Sequence, residues 1–89
     1  MEKMNYEMIE SLAREMSRGN FQSDEWLLEK RLQEYYKDET DVTWDEISES
    51  ESPVRVVVHG DGTCSAAYLD HDDPNGIEIV PLGILDSDA

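Results

Sequence analysis

Between Met4 and Arg18 the apolar residues Met8, Ile9, Leu12, Ala13 and Met16 recur at helical spacing and form one stripe. Asn5 is a suitable N-cap, Glu7 suits the first turn, and Gly19-Asn20 is a stop signal. A second helix is predicted from Ser23, whose hydroxyl can cap the turn that holds Asp24 and Glu25. Leu28, Leu32, Tyr35 and Tyr36 would form its buried face, with Trp26 and Leu27 flanking. The link from Gly19 to Gln22 is short, so the two helices are expected to be antiparallel neighbours.

Thr43-Trp44-Asp45-Glu46 has the spacing of a capping box and predicts a short third helix, with Trp44 and Ile47 facing inward. Ser52-Pro53 would end it, because proline disfavours helical geometry in the residue before it. The pattern then changes. Val54 to His59 is β-branched and strand-like, and Gly60-Asp61-Gly62 is a turn signal. Thr63 to Leu69 returns as a second strand. After the polar turn from Asp70 to Gly76, Ile77 to Val80 makes a third, with Pro81 at its end or on an edge. The expected fold is α+β: two or three N-terminal helices packed on a three-stranded antiparallel meander. Residues 1–89 suffice for one domain, with the tail from Asp86 frayed.

Charge alters this ordinary picture. Twenty-two acids against seven bases give a formal net charge of −15. Residues 1–37 hold eight acids and six bases, whereas residues 38–89 hold fourteen acids and one base, Arg55. The first part interleaves its charges as a solvated helix face does, for example Glu10 with Arg14 and Glu25 with Lys30 and Glu29. Acidity acquired for solubility or for high salt would be scattered over the whole chain. The densest stretch is Asp38, Glu39, Asp41, Asp45, Glu46, Glu49 and Glu51; Asp70, Asp72, Asp73 and Glu78 make a second cluster. Such a field repels nucleic acid and anionic lipid and speeds encounter with a basic protein surface.

Conventional site chemistry is poorly supplied. His59 and Cys64 could face each other across the Gly60-Asp61-Gly62 turn as an activated thiol pair, but Cys64 beside Ser65-Ala66-Ala67 reads better as a small packed thiol. Gly76 can be aligned with the glycine of the helix-loop-helix calcium motif, but this leaves His71 at the first ligand position and Leu82 where a glutamate is needed. No glycine-rich phosphate loop and no basic patch for nucleic acid is present. No enzyme activity, cofactor or metal is expected. No apolar run approaches the ~20 residues of a membrane helix, and a lone Cys64 gives no internal disulfide, so a cytoplasmic location is expected.

A short chain with helices and a small sheet, acidic in one broad region and without catalytic groups, resembles the phage-encoded DNA-mimic proteins. These include inhibitors of uracil-DNA glycosylase, restriction enzymes, CRISPR effectors and the nucleoid protein HU. The nearest resemblance is to the host-takeover proteins of Bacillus phages that block HU. The glycosylase inhibitors use a Glu-Ser step on an edge strand; here Glu49-Ser50 and Glu51-Ser52 precede Pro53 instead. The resemblance implies a host-takeover inhibitor that occupies the DNA-binding surface of a basic host protein and excludes DNA. The two acidic clusters would supply the contacts and Trp44 an aromatic anchor. The alternative, from another class, is an immunity or antitoxin-like protein that caps a basic nuclease or toxin. An adaptor domain with incidental acidity is a third. So small a core would also profit from homodimerisation.

Overall fold

The computed structural model describes residues 3–18, 24–47, 50, 52–70, 72 and 76–86. In chain order the elements are β1 (Lys3–Met4), α1 (Tyr6–Ser17), α2 (Glu25–Tyr35), β2 (Val42–Glu46), β3 (Arg55–His59), β4 (Thr63–Leu69) and β5 (Ile77–Leu85). The strands form one sheet in the order β1-β5-β4-β3-β2, antiparallel except for β1, which runs parallel to β5.

The three-stranded antiparallel meander is therefore wrong, although the fold remains a mixture of helices and sheet. Two strands were not foreseen. The 42–46 segment is the edge strand β2, where a helix was expected. Its capping-box spacing is outweighed by pairing: Trp44 lies opposite Val57 and Thr43 opposite Val58, and β-branched and aromatic residues pack well on a pleated surface. At the other edge, Lys3-Met4 pairs with Ile84-Leu85, and the Asp86 N–H donates to the Met4 carbonyl at 2.8 Å. β5 continues through Pro81 to Leu85. Its ladder to β4 steps from Ser65–Pro81 to Cys64–Gly83, leaving Leu82 as the extra residue of a bulge.

Helix α1 begins where expected: the Asn5 side chain accepts from the Met8 N–H at 2.9 Å. Ile9 and Ala13 are buried, while Met8 and Met16 are exposed, so the stripe that packs is narrower than the one in the sequence. Helix α2 is capped by Asp24, which accepts from the Leu27 N–H at 3.0 Å; Ser23 lies outside the described residues. Leu28, Leu32 and Tyr36 are buried, but Tyr35 and Trp26 are exposed.

The helices are not neighbours as expected but lie on opposite faces of the sheet. Val56, Cys64 and Ala66 face α1 and form one core with Met4, Ile9 and Ala13. The next residues along the same strands, Val57 and Ala67, face α2 and pack with Leu28, Leu32, Tyr36 and Leu69. Successive strand side chains point to opposite sides, so a strand apolar at every position needs a cover on each face. One helix per face supplies it. Each fully buried aliphatic side chain contributes about 1.5–3 kcal/mol. Among the described residues, no helix is long and apolar enough to cross a membrane.

Candidate functional site

Sheet register decides where the acids go. Glu46, Arg55, Ala67 and Ile79 lie in one row across β2 to β5. Glu78 is one residue beyond that row, and Asp70 and Asp72 follow the end of β4, so Glu46 and the second cluster lie toward the same end of the sheet. Three strand spacings, about 14 Å, separate β2 from β5. Asp38, Glu39 and Asp41 precede β2 and lie toward the opposite end, where Val42 pairs with His59 and Asp61 occupies the β3–β4 turn. The run of acids is thus divided by its own strand. Asp41 and Glu46 are five residue steps apart, about 17 Å of extended chain. Glu49, Glu51 and Asp73 lie outside the described residues.

The acids that are described follow the perimeter of the sheet: one end, the β2 edge, then the other end. Asp38, Glu39, Asp41, Asp45, Glu46, Asp72 and Glu78 are exposed and Asp70 half-buried. None of the eight makes an ion pair among the described residues, where the pairs are Arg14–Glu10, Arg31–Glu34 and Arg55–Glu29. Arg31 lines a groove with Glu34, Tyr35, Gly76 and Ile77, placing a basic group beside the start of β5.

Local bonds fix several of these carboxylates. Asp45 points to the α1 face and accepts from the Tyr6 hydroxyl at 2.9 Å. Burial, then the bond and charge of Asp45, hold the Tyr6 hydroxyl far above the usual phenol range. The Tyr68 hydroxyl is raised by burial and, after that, by Glu78 and Asp70, which lie near it on the same face. Asp61 accepts from the Thr63 N–H at 2.9 Å and the Thr63 hydroxyl at 2.7 Å, and these bonds lower its carboxyl below the ordinary value. The turn around it needs its glycines. Gly62 has φ +92°, and a Cβ on Gly60 would come within 2.5 Å of the Asp41 carboxylate.

Beside the expected Trp44 and Glu46, the α2 face carries Glu25, Trp26, Glu29 and Arg55, which sequence reasoning did not assign to a site. Trp44 donates its indole N–H to both Glu29 oxygens, at 2.9 and 3.0 Å. The same Glu29 carboxylate lies 3.6 Å from Nε of Arg55, whose guanidinium also donates to the Val54 carbonyl at 3.2 Å. Only 7% of Arg55 is exposed. Beside this network an open groove of about 440 Å³ is lined by Glu25, Trp26, Glu29, Trp44, Glu46 and Arg55. The signal for it was the one base in the acidic half of the chain, set at the head of an apolar strand. A cation buried there requires a carboxylate partner, and Glu29 is it.

No catalytic pair is formed by the groups considered above. Cys64 pairs with Val58 rather than His59 and faces α1, fully buried, with its thiol raised by that burial. His59 lies toward the α2 side, edge-on to Tyr36 at 5.8 Å. Among the described residues, no group of three or more His, Cys, Asp or Glu side chains is placed to hold a metal ion. The chain matches no protein-family model, no curated protein and no solved structure.

Proposed function

We propose that this protein is a DNA-mimic inhibitor: it binds the DNA-binding surface of a basic protein through its acidic perimeter and competitively excludes DNA. A nucleoid protein such as HU is the favoured partner, which places the complex in the cytoplasm of a bacterial host. The observation that carries the reading is the set of eight perimeter acids without an ion pair among the described residues, in the part of the chain that holds fourteen acids and one base, against eight acids and six bases in residues 1–37. Duplex DNA carries one negative charge per ~1.7 Å of axis, and its partners are built to neutralise rows of such charges. Single exposed ion pairs contribute about 0–1 kcal/mol each, so affinity requires many of them together with an aromatic anchor such as Trp44. The arrangement performs binding rather than catalysis.

The test is displacement of a labelled DNA duplex from purified HU, followed by anisotropy. The protein is expected to release the duplex, with competition weakening as salt rises from about 0.05 to about 0.2 M. Failure to displace DNA at any salt, from HU and from a panel of unrelated DNA-binding proteins, contradicts the reading. One feature favours the alternative of an immunity or antitoxin-like cap: the exposed Trp26 and the groove beside it suit a defined cleft better than a broad charged surface. Such a cap would bind one basic nuclease and none of the panel.

A further inference from the structure

Strand β2 ends the sheet. Among the described residues β3 is its one neighbour, and no other backbone hydrogen bond reaches Val42–Glu46. An edge of this kind offers a ladder of backbone donors and acceptors to an incoming strand. The groove opens along the α2 side of the same edge, with Trp44 and Glu46 of β2 as one wall and Glu25, Trp26 and Glu29 of α2 as the other. Trp26 is 69% exposed, which is unusual for so large an apolar side chain and serves no core here. The Lys30 ammonium sits 5.4 Å from its ring centroid, so the ring already has a cation near it.

Charge in the groove is unbalanced. Three carboxylates, Glu25, Glu29 and Glu46, line it, against the guanidinium of Arg55 and the Lys30 ammonium near the Trp26 ring. Glu29 is committed to Arg55 and Trp44, while Glu25 and Glu46 make no ion pair among the described residues. A second copy of this chain does not suit the edge, because another β2 brings its own Asp41, Asp45 and Glu46 and adds like charge to an edge that already carries these acids. The complementary occupant is an extended segment with arginine on alternate positions. Its backbone would extend the sheet, and one guanidinium would enter the groove. A planar guanidinium can stack on an indole while its fork of donors meets carboxylates, which an ammonium does less well.

We propose that the β2 edge and the Trp26–Trp44 groove form a docking site for an arginine-bearing extended segment of the partner protein, bound by β-strand addition. The site rests on the reading of the acidic perimeter as a partner-binding surface, but not on competition with DNA. Displacement of duplex from HU can therefore fail while this site stands, and the reverse.

The experiment measures binding of an end-blocked, fluorescein-labelled hexapeptide of alternating valine and arginine to the full chain by anisotropy. Two analogues accompany it: one with lysine for arginine, and one N-methylated on alternate backbone nitrogens, which keeps the charge and abolishes the ladder. N-methylation is expected to weaken binding about tenfold or more, because strand addition depends on main-chain bonds. Trp26→Ala is expected to weaken it about fivefold and Glu46→Gln by a comparable factor, with lysine for arginine costing a few-fold. Trp26 and Glu46 are exposed, so both variants should keep the parent's urea midpoint, which is checked alongside. Amide shifts on binding should concentrate in Val42–Glu46. Absence of peptide binding, equal binding of the N-methylated peptide, or binding indifferent to Trp26→Ala would each overturn the proposal.

Discussion

The covered faces of the sheet and its perimeter are built on different rules. On the faces, Val56 and Cys64 look toward α1 and Val57 and Ala67 toward α2, and the packed side chains are apolar, most of them aliphatic. Among the described residues the one buried charge, on Arg55, is met by Glu29. On the perimeter Asp38, Glu39, Asp41, Asp45, Glu46, Asp70, Asp72 and Glu78 stand exposed or half-exposed, without an ion pair among the described residues. Folding energy comes from the faces, since apolar burial is the dominant favourable term. Carboxylates crowded on the perimeter repel one another and add little to it. A chain that tolerates this repulsion in one half and balances its charges in the other has separated what holds it together from what it presents.

The comparison breaks most visibly in the interior. Ile9→Ala and Leu32→Ala, one on each face, should each cost about 2–5 kcal/mol, read as a lower urea midpoint. For a domain with about 5–15 kcal/mol in total, that is a large fraction. Both are fully buried and far from any perimeter acid in role, so binding measured on the folded fraction should be unchanged. A smaller effect belongs to the place where face and perimeter meet. Glu29→Ala removes the carboxylate partner of Arg55 and the acceptor of Trp44, and should cost about 1–3 kcal/mol. Altered tryptophan emission would accompany it as the indole loses its acceptor.

The smallest effect sharpens the perimeter itself. Asp61 has its carboxyl lowered by the Thr63 N–H first and the Thr63 hydroxyl second. Its folded value lies below the unfolded one near ~3.9, so its contribution is present above that value and disappears as pH falls through the lower folded value. Parent and Asp61→Ala should therefore differ in urea midpoint near neutral pH and converge in acid, once the pH has fallen below the lowered folded value. A difference that persists in acid would mean that the turn is held by something other than the carboxylate.

Some of this was readable in the residues and some was not. Asn5 announced the start of α1 because an N-cap acts locally, through one bond to Met8. The stretches 55–59 and 63–69 declared themselves as strands by composition. The capping-box spacing at Thr43–Glu46 is equally local, yet it lost to partners distant in sequence, Val57 and Val58. The split of the helices over two faces had a visible cause in Val56-Val57 and Ala66-Ala67, since a strand apolar at every position is covered on both sides. Five strands instead of three followed from two short segments, Lys3-Met4 and Val42–Glu46, whose strand character comes from their neighbours rather than themselves. Acidity singled out the perimeter residues but not the groove: Trp26 and Glu29 share one helix, and the tertiary fold alone brings Arg55 of β3 to them.

The most direct test compares charge removed from the two regions. In one variant Glu46, Asp70, Asp72 and Glu78 are replaced by their amides; in the other, Glu7, Glu10, Glu15 and Glu34 on the helices are. Both lose the same formal charge. Displacement of labelled duplex from HU is then titrated at one salt concentration. Loss of about tenfold or more in the first variant, with the second within about twofold of the parent, is the predicted result. Equal losses in both would show that net charge acts without regard to place, and would contradict the division of this molecule into covered faces and a binding perimeter.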